Sequence, residues 1–121
     1  MDQTQNSKKY DLEERTYQFA KSVALFVKTL PKNISNIEYS VQVIRSTGSV
    51  GANYIEANEA LSKKDFSMRM KICRKEAKES VFWLRLIVET NNDESGTQGN
   101  SLMQEATELK KIFSAILVKS Q

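Results

Sequence analysis

The side chains that do most enzymatic chemistry are scarce in this sequence. Histidine is absent and Cys73 stands alone among 121 residues. That removes a His-ligated zinc site, a Ser-His-Asp triad and an intrachain disulfide, and it predicts a reducing, cytoplasmic setting. What remains is the chemistry of carboxylates and cations. Glu76 and Glu79 lie close together on one predicted helix, and Glu56 and Arg45 lie on the helix before it. Two carboxylates flanking a bond could do acid–base work of the glycosidase kind. Carboxylates one turn apart on a helix more commonly join solvent or an ion-pair network. The second reading is preferred: Arg45, Asn53, Glu56, Glu76 and Glu79 are expected to form a structural polar network with Arg45 as counter-ion. No catalytic residue, metal or cofactor is expected, and an enzyme ranks behind a binding or scaffold protein.

The cations are better organised. The chain carries 18 basic and 15 acidic residues, and because residues 1–61 are balanced, the whole excess of +3 lies in residues 62–121. At 100° per residue, Lys63, Lys64, Lys71, Arg74, Lys75, Lys78 and Arg85 fall within an arc of about 120°, and only Arg69 of that segment's basic residues falls outside. Such a stripe can neutralise several phosphates and hold RNA or DNA in a salt-dependent, largely sequence-independent way. It can also be an ordinary solvated helix face. No RNA-reading aromatic motif of the RRM type accompanies it.

These residues need helices to position them, and helices are what the composition favours. One proline and four glycines are too few for a turn-rich β architecture of this length. With 40% hydrophobic and 27% charged residues the chain suits one globular domain. The polar residues 1–10 are expected to be a disordered arm and residues 11–119 the folded domain. Asp11 with Glu14 opens the first predicted helix, which Pro31 ends. Ser35-x-x-Glu38 opens a second, to about Leu61, and Ser62-x-x-Asp65 a third, to about Thr90. Asn91 to Asn100 reads as the one long loop, followed by Ser101-x-x-Gln104 and a fourth helix. Short connections then give an all-α, antiparallel up-down-up-down four-helix bundle. No stretch approaches the ~20 apolar residues of a membrane span. Gly48 and Gly51 either let a neighbouring helix approach closely, the preferred reading, or kink the second helix.

The two middle helices each carry two apolar seams. On the third, Phe66, Met70, Cys73, Ala77, Ser80, Leu84 and Val88 make one stripe, assigned to the core. Met68, Ile72, Trp83, Leu86 and Ile87 lie opposite. On the second, Ile37, Val41, Ile44, Gly48, Gly51 and Ile55 make one seam, and Tyr39, Val43, Val50, Tyr54, Ala57 and Leu61 another. Two seams call for two partners, unless a broad apolar arc is used within one subunit. Exposed tryptophan is costly, so a homo-oligomer is expected, joined through Tyr39, Val43, Val50, Tyr54, Met68, Ile72, Trp83, Leu86 and Ile87, closing into a ring if the contacts run head to tail.

Several strings carry a family resemblance. Gln42-x-x-Arg45-Ser46-x-x-Ser49-x-x-x-Asn53-x-x-Glu56-Ala57, Ser62-x-x-Asp65-Phe66, Lys75-Glu76-Ala77-Lys78-Glu79-Ser80-x-x-Trp83-Leu84-Arg85-Leu86 and Glu105-Ala106-Thr107-Glu108-Leu109 with Ile112 resemble the bacterial 23S rRNA intervening sequence proteins, also labelled S23 ribosomal proteins. The resemblance spans about Asp11 to Lys119. It implies a four-helix bundle assembled as a ring-shaped homopentamer. Some members are encoded within insertions in 23S rRNA genes, and relatives serve diversity-generating retroelements, binding nucleic acid and a reverse transcriptase. The resemblance implies no catalytic residues. Two expectations follow: a non-enzymatic oligomer holding RNA or DNA on its third helix, or a scaffold or accessory subunit for a partner protein such as a reverse transcriptase, without direct nucleic-acid binding.

Overall fold

The computed structural model describes the backbone of residues 3–121 and the side chains of residues 12–92 and 94–121. Four helices follow in order, α1 (Gln3–Val27), α2 (Ile34–Asn58), α3 (Lys63–Thr90) and α4 (Asp93–Lys119). The backbone is already helical from Gln3, so the start expected at Asp11 lies inside α1. Of the arm expected over residues 1–10, Met1 and Asp2 lie outside the described residues.

Local chemistry explains the helix ends. The Thr29 and Leu30 N–H groups donate to the carbonyls of Phe26 and Val27, and Pro31 then blocks continuation by biasing Leu30 away from helix. Asn33, in extended conformation, caps α2 by accepting from the Asn36 N–H at 2.9 Å. The cap expected at Ser35 is thereby corrected: Ser35 sits in the first turn and its hydroxyl donates to Asn33 Oδ1. α2 stops at Asn58 rather than near Leu61, which stands in the connection fully exposed. Ser62 caps α3 as the sequence predicts, its Oγ accepting from the Asp65 N–H at 3.0 Å.

The largest departure is at α4. The expected loop over Asn91 to Asn100 shrinks to Asn91 and Asn92, and Asn92 caps a helix that begins eight residues before Ser101. Gly96 and Gly99 suggest a break, yet both sit in helix. Gly99 is a packing residue: a Cβ there would lie 2.3 Å from Val88 Cγ2 and 3.3 Å from Phe26 Cζ. Its missing side chain lets α4 approach α3 and α1, which offsets its poor helix propensity of about 1 kcal/mol.

The helices pack as a square in which α1 and α3 each touch α2 and α4. Every neighbouring pair is antiparallel. Asn36 meets Asn91 while Asn53 meets Arg69 across α2 and α3. Arg15 meets Glu105 and Phe26 faces Gly99 across α1 and α4. The core takes Phe19, Val23 and Phe26 from α1, Val43, Val50 and Tyr54 from α2, Met70, Cys73, Ala77, Leu84 and Ile87 from α3, and Leu102, Ala106, Leu109, Phe113 and Leu117 from α4. Of the two glycines in α2, Gly51 meets the expectation of close approach, since a Cβ would come 3.3 Å from Thr16 Oγ1, whereas Gly48 has open space around it.

Candidate nucleic-acid interface

α3 runs unbroken from its Ser62 cap, so the predicted basic stripe becomes a continuous ridge about 33 Å long from Lys63 to Arg85 at 1.5 Å per residue. Lys63, Lys64, Lys71, Lys75, Lys78 and Arg85 are exposed and Arg74 is half-buried. Two of the seven have carboxylate partners. Arg85 Nε is 2.9 Å from Glu89 Oε2, a hydrogen bond that raises its pKa, and Lys75 Nζ is 3.9 Å from Glu76 Oε1. Among the described residues no carboxylate pairs with Lys63, Lys64, Lys71, Arg74 or Lys78. Lys63, Lys64, Lys71 and Arg74 line a groove that the end of α4 closes with Leu117 and Ser120. Arg69, the one basic residue off the stripe, instead turns to α2, donating to Asn53 Oδ1 at 3.1 Å.

The expected polar network divides in two. Arg45 Nη1 donates to Glu76 Oε2 at 3.2 Å, and its Nη2 donates to Glu79 Oε2. That same Glu79 oxygen accepts from Trp83 Nε1 at 3.0 Å. Glu76 is buried, so the Arg45 cation compensates a charge that would be expensive to leave unpaired. Asn53 belongs to a separate cluster with Ser49 and Arg69. Glu56 is exposed and joins neither. Both carboxylates near Arg45 are thus committed to structural partners, and the groove lined by Lys63, Lys64, Lys71 and Arg74 takes no wall from Arg45, Glu56, Glu76 or Glu79.

The assembly face requires correction. Val43, Val50, Tyr54 and Ile87, assigned to an interface, are buried in the subunit's own core. Tyr39 and Trp83 are half-buried and packed on that core, with ring centroids 6.1 Å apart. Ile72 and Leu86 are half-buried, and Met68 is exposed. On α2 the inward and outward seams are exchanged: Ile37, Val41, Ile44 and Ile55 are 46 to 59% exposed. The reason is the buried hydroxyl pair Ser46 and Ser80, whose Oγ atoms lie 2.8 Å apart where α2 meets α3. Two small side chains there draw the helices together, and this turns Val43 and Val50 inward. The sequence places Ser80 on the core stripe of α3, and a small residue facing it from α2 is the cue to which seam points in.

Residues 8–115 match the family described as 23S rRNA-intervening sequence protein. The chain belongs to that family. A crystal structure of a protein of unknown function from the S23 ribosomal protein family of Bacteroides thetaiotaomicron VPI-5482 is 31% identical and superposes with a TM-score of 0.75, covering 91% of this chain and 97% of that one. No curated protein matches. The four-helix bundle expected of the 23S rRNA-intervening sequence family is therefore the fold seen here. One aromatic residue escaped the sequence reading: Phe82, between Lys78 and Arg85 on the outer face of α3, is 56% exposed. Its placement three and four residues from those cations was the available signal.

Proposed function

We propose that this 23S rRNA-intervening sequence family member is a non-enzymatic, cytoplasmic, self-associating bundle that holds nucleic acid by its phosphates along α3. The observation that carries the reading is the set of five basic side chains, Lys63, Lys64, Lys71, Arg74 and Lys78, on one side of an unbroken helix without carboxylate partners among the described residues. A polyanion supplies the missing counter-charge and releases its own condensed ions in doing so. Self-association is supported by the exposed α2 stripe of Ile37, Val41, Ile44 and Ile55, an apolar surface better covered than wetted. Ring closure, as in a pentamer, would repeat the ridge and multiply its avidity. Among the described residues no helix is long and apolar enough to cross a membrane.

Charge reversal tests the reading. The variant carrying Lys71→Glu, Arg74→Glu and Lys78→Glu is expected to lose low-salt retention of labelled RNA and DNA while keeping its helicity and sedimentation mass. Capture of a partner enzyme by a variant that no longer retains nucleic acid would favour the scaffold reading instead. Wild-type protein that retains neither RNA nor DNA at low salt would refute the proposal.

A further inference from the structure

We infer that the ridge of α3 is built for single-stranded nucleic acid, with Phe82 as a platform on which a base stacks. This rests on the nucleic-acid reading above and narrows it to a class of ligand. Phe82 is a large apolar ring more than half exposed on the side of α3 that carries most of its cations, with Lys78 one turn before it and Arg85 one turn after. The ring is also held in place. Its centroid lies 4.9 Å from that of Trp83 in an edge-to-face arrangement at 81°. Trp83 is itself fixed by its Nε1 hydrogen bond to Glu79 and by Tyr39. A side chain clamped on one side and open on the other loses little freedom when something flat covers it.

The surroundings favour a polynucleotide over a second protein copy. Lys71, Arg74 and Lys78 precede Phe82 on the outer side without carboxylate partners, whereas the apolar α2 stripe lies on another helix. Glu89, on the same side, is occupied by Arg85. Cations that follow a backbone beside an aromatic face are the pattern of sequence-tolerant single-strand binding, because every base offers a π-face. In a duplex the bases are already stacked and paired, so Phe82 gains nothing from one.

The test compares a labelled oligouridine with a duplex of equal length by fluorescence anisotropy at low salt, using wild-type protein, Phe82→Ala and Phe82→Tyr. Phe82→Ala is expected to weaken oligouridine binding about tenfold, within the range of alanine substitutions at stacked bases, and to leave duplex binding unchanged. Phe82→Tyr should bind as wild type. Trp83 is the sole tryptophan, so its fluorescence should change when oligouridine binds and change less in Phe82→Ala. Equal binding of wild type and Phe82→Ala to the single strand would overturn the stacking role while leaving phosphate binding intact. A changed sedimentation mass in Phe82→Ala would overturn it as well, by placing the ring in a subunit contact. Wild-type protein that binds neither probe removes both this inference and the reading beneath it.

Discussion

Asn36 and Asn91, 55 residues apart, exchange amide hydrogen bonds across the end of the bundle: Asn36 Nδ2 donates to Asn91 Oδ1 at 2.9 Å and Asn91 Nδ2 donates to Asn36 Oδ1 at 2.8 Å. Each amide also donates to a main-chain carbonyl, of Pro31 and Ile87 respectively. The pair therefore ties the α1–α2 turn to the end of α3. Because Asn36 is buried, its partners have no water to fall back on. Asn36→Asp keeps the shape and removes both donors. It should cost about 2–3 kcal/mol in urea unfolding, as expected when buried acceptors lose their donors. A variant as stable as wild type would show the exchange to be incidental.

The two kinds of helical glycine should respond in opposite directions. Gly99→Ala drives a Cβ into Val88, whose branched side chain cannot swing aside, and should destabilise by about 1–3 kcal/mol. Gly48→Ala, in open space, should stabilise by about 0.5–1 kcal/mol through lower unfolded-state entropy. Adding Val88→Ala to Gly99→Ala should recover part of the loss. Thermal midpoints of the four proteins check the set, and equal midpoints for the two glycine variants would contradict the close approach of α3 and α4.

Arg45 is a structural cation on this account. Arg45→Met leaves the buried Glu76 carboxylate with only the distant Lys75 ammonium, and should cost about 1–3 kcal/mol, less than a fully buried pair because the guanidinium is half exposed. Glu76→Gln in the same background should restore much of that, as read by chemical denaturation. No recovery would mean that the loss comes from packing and not from the stranded charge.

Burial pushes the Cys73 thiol up to about 12 from an ordinary value of 9.0, and burial likewise raises the Tyr54 phenol. Between about pH 9 and 12 the unfolded chain has lost protons that the folded chain keeps, so stability must fall as pH rises across that window. Cys73→Ala should flatten the decline, with Tyr54→Phe flattening it further. At neutral pH the thiol should resist alkylation until the protein unfolds. Rapid labelling of native protein would contradict its burial.

The sequence displayed the four helices and the basic ridge because both depend on local spacing: Ser62 caps α3 where its pattern begins, and lysines at helical intervals need only an unbroken helix to align. It misjudged features that depend on a partner helix. Gly99 reads as a breaker until Val88 and Phe26 are known to press against it. The two seams of α2 are about equally apolar, and contacts with the neighbouring helices, such as that of Ser46 with Ser80, mark which faces inward. Arg45 reaching Glu76 and Glu79 was legible from opposite charge on adjacent helices, whereas Glu56, of the right type, points elsewhere into solvent. Phe82 was hidden by its apolar character, which on a helix suggests core.

The salt dependence of oligonucleotide affinity tests the central claim, that α3 holds nucleic acid by neutralising phosphates. The logarithm of the binding constant should fall linearly with the logarithm of salt concentration. For a single strand, reversing Lys71, Arg74 and Lys78 should reduce the steepness of that line by about two units, three contacts each contributing about 0.7. A line of unchanged slope in the triple variant, or a wild-type affinity indifferent to salt, would contradict the account.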